Sequence, residues 1–147
     1  MAERDKLGGS GAARWIEQLQ HPPALEVLHP AAARLVFSLR LIAIHARAGR
    51  DPTAELALRL GSMTVAVRTL QLADSIGACW PEPVQLRRFC CRALSHDEAT
   101  IAALVEAAWH NRQDQFNLQL HGLIRPERSQ RLWADCVELV ASESARA

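Results

Sequence analysis

The sequence predicts an all-α fold: a single-domain bundle of five or six helices, with a helix-turn-helix-like hairpin at about 53–76. Three observations predict it. Alanine, leucine, arginine and glutamate dominate a chain of 147 residues that is 49% hydrophobic, a composition that favours helix and can build a core. Aromatic residues make up only 5% and tyrosine is absent, whereas strands favour β-branched and aromatic side chains. Apolar residues recur at helical spacing between prolines and glycines that mark the breaks.

Taken in order, residues 1–13 read as a disordered tail, because Gly8, Gly9, Ser10 and Gly11 make a flexible stretch. Residues 14–29 form a short amphipathic segment with Trp15, Ile16 and Leu19, ended by Pro22 and Pro23. It is too short to be stable alone, so it docks on the domain or serves as a peptide for a partner. The helical domain spans 30–142. Pro30 suits a first helical turn, and the helix it opens runs to about Gly49. That helix has two apolar faces, one with Leu35, Leu39, Ile42 and Ala46, the other with Phe37, Leu41 and Ile44. A helix apolar on two sides is buried between neighbours, as the central helix or as half of a dimer interface. His45 lies in its polar seam, placed to pair with an acid across the bundle.

Asp51-Pro52 starts the next helix with a cap and a proline. Gly61 and Ser62 interrupt it, and a further segment from Met63 ends near Gly77. Trp80-Pro81-Glu82-Pro83 makes a rigid loop, and 84–92 is compatible with a short helix. Ser95 and Glu98 have capping-box spacing. The helix they open carries Ile101, Leu104, Val105, Ala108 and Trp109 on one stripe and breaks at Asn111 or Arg112. Phe116, Leu120, Leu123 and Ile124 mark another helix. Pro126 opens the last, with Leu132, Trp133, Cys136, Val137, Leu139 and Val140 facing inward. Residues 143–147 read as a solvated tail.

The formal charge is +1, unlike the clustered basic charge usual for a nucleic-acid domain. Only Lys6 among seventeen basic residues is a lysine, which points to a GC-rich genome more than to a phosphate-binding surface. The amino end has no apolar h-region, and the longest apolar run, 35–48, is too short and too charged to span a bilayer. The expectation is a cytoplasmic protein with no membrane contact, in which Cys79, Cys90, Cys91 and Cys136 are reduced thiols.

No glycine-rich phosphate loop, nucleophile elbow or His-Glu-x-x-His motif occurs, so nothing demands catalysis. The lone Glu26/His29 pair lacks the second pair that a di-iron bundle needs. The expected function is a non-enzymatic regulatory or adaptor protein that binds another protein or itself, as a homo-oligomer, with no cofactor. Trp15, Ile16, Leu19, Leu39 and Ile42 are its expected contact residues. One alternative is a DNA-binding regulator. In that frame Ala57, Gly61, Val67 and Leu70 meet the packing needs of a helix-turn-helix, Met63 and Ala66 lie outward, and Thr64, Arg68 and Thr69 reach the bases or phosphates. The other alternative is a metal or redox sensor, with zinc held by Cys79, Cys90, Cys91 and His96. Adjacent cysteines on a helix point about 100° apart and suit one ion poorly.

From Pro30 to about Leu104, residues 34–40, the Leu60-Gly61 break, residues 67–70, and Cys90-Cys91 running into Ser95-x-x-Glu98 resemble a family of small uncharacterised bacterial helical proteins. Those proteins carry a cysteine cluster ahead of the same capping box. The resemblance covers about half the chain and implies no known activity. Here Phe89 stands where a third cysteine would extend the cluster.

Overall fold

The structure is a computed structural model that describes residues 24–145. Six α-helices occur among these residues: α1 (Pro30–Arg47), α2 (Thr53–Leu60), α3 (Met63–Cys79), α4 (His96–Trp109), α5 (Gln113–Leu120) and α6 (Pro126–Ser144). A single 3-10 turn, Leu25–Val27, precedes them. Ala24 and Ala93 form an isolated antiparallel bridge. The expected all-α bundle is therefore present, and the hairpin lies where the sequence places it.

The helix starts follow the local chemistry. Pro30 and Pro126 each open a helix, where the missing N–H costs nothing. The cap of α1 is His29, whose Nδ1 accepts from the Ala31 N–H at 3.1 Å. Ser62 caps α3 by accepting from Val65 N–H at 3.2 Å. Gly61 ends α2 in the left-handed region, φ 70°, which favours glycine. The capping box of α4 is complete: Ser95 Oγ accepts from Glu98 N–H at 3.0 Å, and Glu98 Oε1 accepts from Ser95 N–H at 2.9 Å. Asn111, at φ 54°, turns the chain between α4 and α5.

Four boundaries differ from the sequence reading, the first being that α5 stops at Leu120, before Leu123 and Ile124. Helix α3 continues through Gly77 to Cys79, because an isolated glycine is tolerated within a helix and Pro81 supplies the stop. Residues 84–92 form an irregular strap instead of a short helix. The last helix includes Glu143, expected in the solvated tail but buried and paired with Arg34 at 2.5 Å.

Helices α1 and α4 run antiparallel. The ring of His29 meets Trp109 at one end (centroids 4.4 Å apart), and Arg40 meets Glu98 at the other. Helices α3 and α6 also run antiparallel, joined by Arg68–Glu138, Ser75–Asp135 and Cys79–Arg128 contacts. Helix α4 touches α1, α5 and α6, and Ile101, Ala102, Leu104, Val105, Ala107 and Ala108 are all buried. It is thus enclosed over most of its circumference, beyond the single stripe expected for it. Leu35, Val36, Leu72, Phe116, Leu132 and Leu139 complete the centre of the core.

Candidate interaction surface

The strap from Trp80 to Ser95 would leave buried backbone carbonyls unpaired without help from side chains. Arg40 gives that help from the middle of α1. It is almost fully buried, and its Nη1 donates to the Cys91 carbonyl at 2.6 Å and its Nη2 to the Ala93 carbonyl at 3.0 Å. The same guanidinium forks onto Glu98, at 2.7 and 3.0 Å. Ser95 Oγ also donates to the Gln85 carbonyl, and Asp97 accepts from the Gln85 N–H at 2.8 Å. One buried ion pair therefore ties α1, the start of α4 and the strap together. Burial, the largest single influence on the Glu98 carboxyl, raises its pKa. The hydrogen bond and charge of Arg40, with the Ser95 N–H, outweigh burial and hold it below the ordinary carboxylate range.

Fixing the strap brings Phe89 over α1. Its ring meets Phe37 edge-on, with centroids 4.8 Å apart, and the Arg59 guanidinium lies 5.4 Å above its centroid. Such edge-on and cation-over-face contacts are favourable geometries for an aromatic ring. Phe89 thereby becomes a wall shared by two hollows. One, of about 300 Å³, lies among Phe37, Leu41, Leu56, Leu60 and Arg59. The other, of about 200 Å³, lies among Ala43, Ile44, Arg47, Leu86, Arg87 and Arg88. Phe37 and Ile44 stand seven residues apart, on one face of the helix, and remain 41% and 38% exposed. Among the described residues, no carboxylate lines either hollow.

The residues expected at contacts are distributed differently. Trp15, Ile16 and Leu19 lie outside the described residues. Leu39 is buried in the core, because its face of α1 turns toward the bundle. Ile42 is half-buried against that core. The exposed large apolar side chains of α1 are Phe37 and Ile44, both from the second apolar face, whose third member, Leu41, is buried.

The helix-turn-helix frame is rotated relative to expectation. Ala66 and Thr69 are buried, Leu70 is half-buried, and Val67 is exposed. The Thr69 hydroxyl donates to the Val65 carbonyl at 2.7 Å, so it does not serve as an outward contact. Arg68 is half-exposed and donates to Glu138 of α6 at 2.6 Å and to Gln71 at 3.1 Å. Thr64 remains exposed beside Met63, Val67, Gln71 and Asp74. This face of α3 carries an acid and an apolar pair where a recognition helix needs free donors.

The expected metal ligands stand in different settings. Cys79 is buried beside the Arg128 carbonyl, while Cys90 and His96 are exposed and Cys91 is half-buried. No group of three or more His, Cys, Asp or Glu side chains among the described residues is placed to hold a metal ion. A broader hollow of about 620 Å³ over the Gly122 turn includes His121, Arg125 and Gln130. The Ser129 hydroxyl there is committed to the Pro126 carbonyl at 2.8 Å. His45, by contrast, has the expected acid partner: its Nε2 meets the Glu55 carboxylate. No helix among the described residues is long and apolar enough to cross a membrane.

Phe89, Arg87 and Arg88 escape a periodicity reading because they lie on no regular element. Their one sequence signal is an aromatic side chain among arginines in a proline-bounded loop. Comparison with protein-family models, with curated proteins and with solved structures gives no match. None of the three bears on the resemblance carried by Cys90-Cys91 and the capping box.

Proposed function

We propose that this protein is a non-enzymatic regulatory or adaptor protein that works through contact with another protein. The observation that carries this reading is the pair of apolar hollows divided by Phe89, with Phe37 and Ile44 left exposed on α1. Contiguous exposed apolar surface rimmed by polar groups marks interaction sites in folded domains, and aromatic side chains in pockets are frequent binding hot spots. The position of the hollows on α1 keeps that helix as the contact element, through Phe37 and Ile44 in place of Leu39. The DNA-binding alternative has less support, since Thr69 is buried and Arg68 is engaged by Glu138.

The test is purification of the tagged full chain from its own cell type, beside a Phe37→Ser/Phe89→Ser variant, with native mass spectrometry of both. The expected outcome is a defined complex with another protein for the native chain, lost in the variant at unchanged helical content. A native chain that is monomeric and free of any protein partner would count against the reading, as would a complex that survives both substitutions.

A further inference from the structure

Arg47, Arg87 and Arg88 surround the smaller hollow with exposed side chains, and none has a carboxylate within ion-pair distance among the described residues. The neighbouring arginines differ. Arg34 is held by Glu143, Arg40 by Glu98 and Arg59 by Glu55. Among the described residues, three cations without an ion-pair partner thus cluster beside Ile44, Leu86 and Phe89 in a chain whose formal charge is only +1. Guanidinium groups match carboxylates in charge and in planar, bidentate geometry.

We infer that this face binds an acidic, apolar peptide segment of a partner protein: a bulky apolar side chain enters the Phe37–Leu41–Leu56–Phe89 hollow, and carboxylates meet Arg47, Arg87 and Arg88. The inference rests on the adaptor reading and adds the chemistry of the partner. Charge complementarity selects the occupant, because complementary potentials steer encounter and exclude partners of like charge. The hollow of about 300 Å³ is the size of a small ligand pocket and holds one large side chain. A nucleic-acid strand fits less well. Single-strand binders offer open aromatic faces for bases to stack on, whereas one face of Phe89 is covered by Arg59 and its neighbour Phe37 meets it edge-on.

The experiment is selection of a displayed random-peptide library on the full chain, followed by affinity measurement of the enriched peptides. Expected are sequences pairing a bulky apolar residue with two or more acids. Their binding should weaken at least about tenfold in Arg87→Glu/Arg88→Glu and in Phe89→Ser, and with rising salt. Both variants are compared at matched circular dichroism, and Arg87→Lys/Arg88→Lys, which keeps the charge but loses the bidentate fork, should bind with an affinity between those of the native chain and the Arg87→Glu/Arg88→Glu variant. Enriched peptides that are neutral or basic, or that bind the variants equally, overturn the inference while leaving the adaptor reading standing. Failure to enrich any peptide, together with tight binding of a single-stranded oligonucleotide lost in the same variants, overturns both. Self-association abolished by Phe89→Ser would assign the face to a second copy of the chain and likewise overturn the acidic-partner inference.

Discussion

At the scale of single residues, Arg40 has the largest consequence. Its guanidinium satisfies Glu98 and two strap carbonyls at once, with almost no exposure of either side chain. Removing one partner of a buried ion pair leaves an uncompensated charge, which typically costs about 3–5 kcal/mol. Arg40→Met is therefore expected to lower the urea midpoint strongly at neutral pH. The pH dependence has a definite sign. Glu98 has a lowered pKa in the folded chain, so its contribution is complete above the ordinary glutamate value of about 4.3 and is lost as pH falls through the folded value. The gap between native chain and variant should then narrow below that range, as measured by urea unfolding across pH; a pH-independent gap would refute the pairing. The capping box is legible in the sequence, because local spacing places it, and His45 is legible as a residue able to pair with an acid, although nothing in the sequence singles out Glu55. The role of Arg40 is not. Position 40 looks like a polar separator between two apolar stripes until the strap, some fifty residues on, brings its carbonyls to it.

At the scale of elements, two predictions concern the α2–α3 turn and the faces of α1. Gly61 has φ 70° and is the C-cap of α2. A Cβ there meets the steric penalty of the left-handed region, about 1–2 kcal/mol, so Gly61→Ala should lower the melting temperature, and Ser62→Ala should cost about 1 kcal/mol more by removing the α3 cap. On α1, Leu39→Ala should cost about 2–5 kcal/mol, as for a core leucine. Phe37→Ala should cost much less, since 41% of that residue is already exposed. Thermal denaturation of the two variants side by side decides the point; equal losses would place Phe37 in the core. Helix starts were readable because caps and prolines act locally. The rotational setting of α3 was not, since antiparallel packing on α6 decides it. Val65, Ala66, Thr69 and Leu72 turn inward there, one position away from the helix-turn-helix frame. The same limit applies to α1: two apolar faces are visible, but which of their residues stay open depends on where α4 and the strap lie, and Phe37 and Ile44 are exposed while Leu41 of the same face is buried.

At the scale of the whole molecule, the six helices share one core without a seam. Leu35 of α1, Leu56 of α2, Leu72 of α3, Val105 of α4, Phe116 of α5 and Leu132 of α6 belong to a single buried cluster. The ion pairs Arg34–Glu143 and Arg68–Glu138 fasten the last helix to α1 and α3. That single class of architecture was legible from composition and periodicity, because a chain this size with helical patterning has few ways to bury its apolar stripes except against one another. A shared core implies one cooperative transition, as small single domains usually show. Trp80 in the strap, Trp109 at the end of α4 and Trp133 in α6 stand on three separate parts of the structure. Unfolding followed by their fluorescence should therefore coincide with unfolding followed by far-ultraviolet circular dichroism. Leu132→Ala, at a fully buried position of α6, is expected to cost about 2–5 kcal/mol and to move both transitions by the same amount. A variant that shifts Trp133 fluorescence alone would mean that α6 melts as a separate unit, and that the groove on α1 can persist without it.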